Sequence, residues 1–243
     1  MIRSDRGNNK NIVLHSNKLA EYYATNKTHW GDFYTSERIM MGETFKRCKA
    51  PFTVLDVGCA CGGLANAIME EGYQIKEYCG IDINYPCIEY ASRFAGDYSF
   101  ECRFICDDIV NVSSQKKYDV VICFGAADSN FDFKGILEQC WRFVKTDGCL
   151  IFSNRFTNGE SIVDINKSYQ IIDDETNEIC PYNVLNFRDW ISSLVKGLSD
   201  IIELNIYGYY GCPASSAVTP FKRACFATTG IYKTPISYHI SGG

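Results

Sequence analysis

The chain has 243 residues, of which 46% are hydrophobic and 22% charged, with a formal net charge of -5. That length fits one α/β domain with a modest extension, and the apolar share excludes a disordered chain. The acidic balance argues against a surface built for phosphate backbones, and no apolar run reaches the roughly 20 residues needed to cross a bilayer, so neither nucleic acid nor membrane is an expected partner.

Residues 1–17 are polar and Asn-rich and predict no element. From 18 to 49 the spacing of Leu19, Tyr22, Tyr23, Phe33, Tyr34, Ile39, Met40 and Phe45 predicts helix, broken at 26–31. Short apolar strands then alternate with helical stretches. Strands are predicted at 53–57, 77–83, 100–106, 120–124 and 149–154, with helices at 63–71, 85–94 and 133–144 between them. Such alternation predicts a parallel sheet with helices on its faces. Asp147-Gly148 reads as a turn before the fifth strand. The rhythm breaks after Phe156, and a polar stretch from 157 to about 183–186 reads as an insertion over the sheet edge. A helix at 187–198 follows, then strands at 201–210 and 223–232 joined by a loop at 211–220.

The 13 cysteines are an odd number, scattered singly and mostly in apolar runs, as at Cys79, Cys102, Cys106, Cys123, Cys140 and Cys149. No CxxC occurs, so no metal site is expected; buried free thiols in a reducing cytoplasm are. The N-terminus lacks the charged-then-apolar pattern of a secretory leader, which also favours a cytoplasmic location.

The sharpest signal is VLDVGCACGG at 54–63, a hydrophobic strand running into a Gly-rich turn and then a helix. Ligands of open parallel sheets sit at the carboxyl ends of such strands. GIDIN at 80–84 ends the next strand and places Asp82 20 positions after Gly62 (82 − 62). An acidic side chain there suits a ribose diol, so the pair points to an adenosine-containing cofactor. The loop reads D-x-G-x-A-x-G rather than G-x-G-x-x-G, which leaves an NAD-dependent reductase a distant reading.

This loop resembles motif I of class I S-adenosylmethionine-dependent methyltransferases. GIDIN, FICDDI at 104–109, YDVVICFGAADS at 118–129 and VKTDGCLIFS at 144–153 resemble the family's later motifs in order and spacing. The resemblance implies a Rossmann-like, doubly wound, mostly parallel sheet of seven strands with an antiparallel last strand. An N-terminal helical cap would span 1–49 and the methyltransferase domain 50–243. It implies S-adenosylmethionine as cofactor, with no metal. Asp56 and Gly58, Cys59, Ala60 and Gly62 would surround its methionine part. Asp82 would hold the ribose, Ile83 would pack on the adenine, and Asp107 or Asp108 would bond the adenine amino group beside Ile109. Asp108 fits the family spacing slightly better. Phe124 would line the pocket. Ala60 departs from the family's central glycine, which predicts a slightly reshaped loop.

Methyl transfer asks the protein chiefly to align the acceptor and exclude water, with a general base if the acceptor is a hydroxyl. Asp128, after the fourth strand, and His29, in the cap, are the catalytic candidates. Tyr23, Trp30 and Tyr34 are candidate substrate or lid residues, against a competing reading as ordinary packing. No [DNS]-PP-[YF] follows the fourth strand; the equivalent stretch is 125–129. A small-molecule acceptor is therefore expected, such as a hydroxyl of a sugar, nucleotide-linked sugar or natural-product precursor. A protein or RNA acceptor, or a non-catalytic cofactor-binding subunit, is the alternative. Oligomeric state is left open, with a homodimer as one of the readings.

Overall fold

The computed structural model describes residues 17–233. The polar segment 1–16 with His15, and 234–243 with His239, lie outside the described residues. Helices α1 (Asn17–Tyr23) and α2 (Thr35–Arg47) flank a 3-10 turn at Trp30–Asp32, which matches the predicted break. The sheet strands are β1 (Phe52–Val57), β2 (Ile75–Asp82), β3 (Glu101–Cys106), β4 (Tyr118–Cys123) and β5 (Val144–Thr157). Helices α3 (Gly63–Glu70), α4 (Tyr85–Ser92) and α5 (Phe133–Arg142) connect them. Beyond β5 come β6 (Tyr169–Asp173), β7 (Glu178–Pro181), β8 (Leu185–Asn186), α6 (Phe187–Gly197), β9 (Glu203–Gly211), β10 (Ala217–Val218) and β11 (Ala224–Tyr232).

The main sheet runs β3-β2-β1-β4-β5-β11-β9, with the short β8 pairing the end of β5. β1 to β5 are parallel, and only β11 runs against its neighbours β5 and β9. This is the Rossmann-like arrangement expected. Both faces are covered. Leu55, Val121, Cys123, Leu150 and Phe152 face α5 and α6, while Val54, Val120, Ile122 and Ile151 face α2 and α3. Burial on both sides is why these strands read as continuous apolar runs instead of alternating ones. Most cysteines are buried free thiols, but Cys106 and Cys212 are exposed.

Three local expectations change. Asp147-Gly148 is not a turn before β5: the strand starts at Val144, paired to Tyr118, and the register shifts by a bulge before Val120. Gly148 fits because a Cβ there would lie 2.7 Å from the Asp119 carbonyl oxygen. The same early pairing ends α5 at Arg142 rather than 144. The polar stretch after Phe156 is not featureless. β6 and β7 form a hairpin, and β10, within the segment expected to be a loop, adds to it as a third strand. Nor does the hairpin lie at an edge of the main sheet. It packs against the 3-10 turn at Ala127–Ser129 and against α1, on the side of the sheet where β1 and β4 end.

Candidate functional site

β1 and β2 position the Gly-rich loop in parallel register, with Asp56 opposite Gly80 and Val57 opposite Ile81. After Val57 the chain turns back on β2: Gly58 and Cys59 donate their N–H groups to the Ile81 carbonyl at 2.8 and 3.2 Å. Ala60 adopts φ 45° and Gly62, the residue before α3, φ 78°. Glycine is free in this left-handed region and alanine is strained there by about 1–2 kcal/mol. The strain at Ala60 is held by a bond to β2, since its N–H donates to Asp82 Oδ2 at 2.8 Å. Asp82 Oδ1 accepts the Asn84 N–H at 2.8 Å. Asn84 in turn caps α4 by accepting from Cys87 N at 3.0 Å.

The end of β3 joins the same edge. Asp107 N donates to the Asp82 carbonyl at 3.0 Å, and Asp107 Oδ1 accepts the Asp108 N–H at 2.7 Å. Asp107 is exposed, whereas Asp108 and Ile109 are buried. Asp56 is buried beneath the loop and accepts the Tyr78 hydroxyl at 2.5 Å. Burial pushes its carboxyl up to about 7, opposed by the Tyr78 bond and helped by the neighbouring charge of Asp82. Burial also raises Asp82, opposed by the backbone N–H groups it accepts.

The cap closes over this loop. A Cβ on Gly63 would lie 2.1 Å from the Lys27 carbonyl oxygen, so the chain at Lys27 and Thr28 rests directly on the start of α3. Cys61 Sγ donates to the Ala20 carbonyl at 3.4 Å. Tyr23 is half-buried with its hydroxyl in the field of Asp82, and its titration is raised chiefly by burial.

On the other side of the loop, a Cβ on Gly58 would meet the Ala126 side chain at 2.5 Å. Ala126 leads into the 3-10 turn that carries Asp128, so the cofactor loop and the end of β4 are in contact. Asp128 is 5% exposed. Its Oδ2 pairs with Arg155 Nη1 at 3.3 Å, and Arg155 also donates to the Asp128 carbonyl at 3.3 Å. Burial raises the Asp128 carboxyl, opposed by Arg155 and then by Lys27. Lys27 Nζ binds Glu37 Oε1 and Oε2 at 3.2 and 3.0 Å. Glu37 is buried on α2; burial raises it, Lys27 opposes, and the charge of Asp128 adds to the rise. Lys27 also acts on Asp56, so one ammonium group faces three buried carboxylates. Tyr182 lies under the Arg155 guanidinium, 3.9 Å from Cζ to ring centroid.

The structure thus gathers Asp56, Gly58, Cys59, Ala60, Gly62, Asp82, Asp107 and Asp108 along the ends of β1 to β3, with Ile83 and Ile109 in the same turns. Phe124 follows β4 directly and is half-buried, 6.4 Å from the ring of Phe33. Two candidates go elsewhere. His29 is exposed and bonds Glu70 Oε1 at 2.8 Å, on the outer side of α3, and is not brought to Asp128. Trp30 packs on Phe45 and Tyr73 at 6.4 and 5.7 Å, inside the α2–α3 core instead of over the site. Tyr34 is 54% exposed with Lys27 Nζ 4.5 Å over its ring, at the acceptor side.

Lys27, Glu37, Arg155, Tyr182 and Asn183 were not legible as site residues. Glu37 alone left a signal: it follows Phe33 by four and precedes Met40 by three, so a charge sits on the apolar stripe of α2. Such a charge is retained only when paired.

Asp82 has about four acceptor positions and spends some of them on the Ala60, Asn84 and Ile83 amides, which still leaves its carboxylate able to accept from a hydroxyl. The left-handed loop, the carboxylate of Asp82 and the buried Asp108 behind it fit an adenosine-type cofactor. Among the described residues no cluster of three or more His, Cys, Asp or Glu is placed to hold a metal. Among them, too, no helix is long and apolar enough to cross a membrane.

Comparison with known proteins accords with this geometry. A family model described as a methyltransferase domain matches residues 49–196, more than half of the chain, and the chain belongs to that family. It is 28% identical over 155 residues to the ubiquinone biosynthesis O-methyltransferase of Salmonella paratyphi A, covering 60% of this chain and 63% of that protein. The chain therefore spans just under two thirds of the length of that curated relative. The fold is shared with 1,6-didemethyltoxoflavin-N1-methyltransferase of Burkholderia thailandensis, solved with 1,6-didemethyltoxoflavin and S-adenosylhomocysteine. There the TM-score is 0.59 at 14% identity, over 90% of this chain and 88% of that one. An S-adenosylmethionine-dependent methyltransferase of Clostridium acetobutylicum superposes with TM-score 0.55 at 15% identity, over 90% and 96%.

Proposed function

We propose that the chain transfers a methyl group from S-adenosylmethionine to a hydroxyl of a small molecule. The observation that carries this reading is the contact between the loop after β1 and the turn that presents Asp128, through Gly58 and Ala126. A cofactor on the loop and an acceptor beside Asp128 would then be neighbours. S-adenosylmethionine supplies an already electrophilic methyl carbon. Asp82 takes the ribose hydroxyls, Asp108 the adenine edge, and the 58–62 loop the methionine end near Asp56. Asp128 accepts the proton of the acceptor hydroxyl, and burial raises its carboxyl, which makes it a stronger base than a solvated carboxylate. Arg155 and Lys27 keep that carboxylate ionisable in a buried place. Tyr23 and Tyr34 line the cap that excludes water.

Of the described residues, 17–49 act as the cap and 50–233 as the transfer domain. The free thiols suit a reducing, cytoplasmic setting. Small-molecule action is supported by two of the named relatives, one an O-methyltransferase of ubiquinone biosynthesis and the other a methyltransferase solved with bound 1,6-didemethyltoxoflavin. Calorimetry tests the cofactor half: S-adenosylhomocysteine binds at micromolar levels, and Asp82→Ala weakens it at least tenfold. Equal behaviour of parent and variant, with no binding by either, overturns the reading. Binding without turnover across a broad panel of small hydroxyl acceptors shifts it to a macromolecular acceptor or a non-catalytic subunit.

A further inference from the structure

Three buried polar atoms near Asp128 have no hydrogen-bond partner among the described residues: Asp128 Oδ1, Asn183 Oδ1 and Tyr182 Oη. Asp128, Asn183 and Tyr182 are 5%, 1% and 2% exposed. A buried acceptor left unmade costs more than a typical hydrogen bond contributes, so such atoms call for an explanation. Their scarcity elsewhere sharpens the point: of six such atoms among the described residues, three belong to this one cluster.

The three are joined by direct contacts. Asn183 N donates to the Asp128 carbonyl at 3.3 Å. Arg155 bridges Asp128 and the face of the Tyr182 ring. Burial raises the Tyr182 hydroxyl, the Arg155 cation opposes that rise, and the charge of Asp128 adds to it, so the phenol lies in the field of the same ion pair. Asn183 cannot turn its amide freely, because Nδ2 is spent on the Asn130 carbonyl at 2.8 Å, and this leaves Oδ1 as the acceptor without a partner. Ser168 Oγ holds the Tyr182 carbonyl at 2.6 Å, so the hairpin of β6 and β7 anchors the segment from behind.

The chemistry of the set is one-sided. An ionised carboxylate and an amide oxygen only accept, and a phenol does either. What satisfies them is a group of donors held close together. We propose that Asp128 Oδ1, Asn183 Oδ1 and Tyr182 Oη form the acceptor subsite and take a molecule carrying two adjacent hydroxyl groups, one facing Asp128 and the other facing Asn183 and Tyr182. This deepens the reading of the same site as a hydroxyl methyltransferase, and rests on it. The hydroxyl at Asp128 is the one that gives up its proton as its oxygen takes the methyl group. The other fixes orientation, which makes Asn183 and Tyr182 specificity-determining residues.

The test uses the full chain, with and without S-adenosylhomocysteine, and ligand-observed NMR titrations of matched probes: catechol against phenol, and methyl glucopyranoside against its single-deoxy forms. In at least one pair the diol binds about tenfold tighter than its mono-hydroxy partner, the worth of one well-made hydrogen bond at a buried site. Tyr182→Phe and Asn183→Leu each remove most of that preference and leave S-adenosylhomocysteine affinity within twofold. Tyr182→Phe also leaves the melting temperature unchanged or higher, because the hydroxyl it removes has no partner in the fold. That combination separates ligand recognition from a structural role. No diol binding at millimolar concentration, or a preference that survives in Tyr182→Phe and Asn183→Leu, overturns the subsite. Failure of S-adenosylhomocysteine binding with the diol preference intact overturns the methyltransferase reading instead.

Discussion

Asp82 Oδ2 stands 2.8 Å from the amide nitrogen of Ala60, so the carboxylate at the end of β2 fastens the one non-glycine residue that the cofactor loop holds in a left-handed conformation. The same side chain is thus both a ribose candidate and the clamp on the loop. Asp82→Ala is expected to weaken S-adenosylhomocysteine binding and also to lower stability by about 1–3 kcal/mol, the cost of stranding buried amides. Ala60→Gly relieves the strain but loosens the unfolded chain, and the two nearly cancel, leaving stability within about 1 kcal/mol of the parent. Denaturant midpoints of the two variants check both statements.

Asp56 carries a pH dependence of known sign. Its carboxyl titrates from 3.8 in an ordinary setting up to about 7 in the fold, chiefly through burial. Below 3.8 it is protonated folded or unfolded. Between that value and about 7 only the unfolded chain releases the proton, so its contribution to stability falls as pH rises and levels off above 7. Burial of Asp82, Glu37 and Asp128 acts in the same direction. Exposed carboxylates such as Glu203, lowered by Arg47, act in the opposite one. Comparing Asp56→Asn with the parent isolates the first effect: melting temperatures measured from pH 4 to 8 should fall less steeply in the variant, and parallel curves would exclude it.

Lys27 and Glu37 form a pair whose halves are worth little alone. Lys27→Met leaves the Glu37 carboxylate buried without its cation and is expected to cost about 3–5 kcal/mol. Lys27→Met combined with Glu37→Gln removes the stranded charge and recovers most of the loss, a coupling that a double-mutant cycle reads directly.

Arg155 sets the working range of Asp128. Replacing Asp128 with Asn should slow transfer to a hydroxyl acceptor by about 10²–10⁴, the usual worth of a positioned base. Arg155→Met should move the rising limb of the pH–rate profile to higher pH, since the cation that opposes burial is gone. An unmoved limb would mean that Asp128 is not the base.

Gly63 is the contact between cap and core. Gly63→Ala drives a methyl group into the Lys27 carbonyl, and the expected cost is about 1–3 kcal/mol. Hydrogen exchange should then rise in α1 more than in β1.

The sequence by itself determined the alternation of strands and helices, the doubly wound mostly parallel sheet by way of the motifs, and the Gly-rich loop after β1. These are legible because each depends on neighbours in the chain. A strand buried on both faces reads as an apolar run, and a tight turn needs glycine wherever it sits. Even the departure at Ala60 was visible, although its left-handed φ and its bond to Asp82 were not. Only the tertiary structure assembled the charged cluster around Asp128. Lys27, Glu37, Asp128, Arg155, Tyr182 and Asn183 come from the cap, α2, the turn after β4, β5 and the end of the hairpin, and no local period links them. It also separated neighbours that look alike in sequence, sending Trp30 into the core and His29 to Glu70 on the surface while Tyr34 stayed by the site. The reason is physical. Backbone conformation is set by residues a few positions apart, but a cluster of buried charges exists only once distant segments have excluded water together.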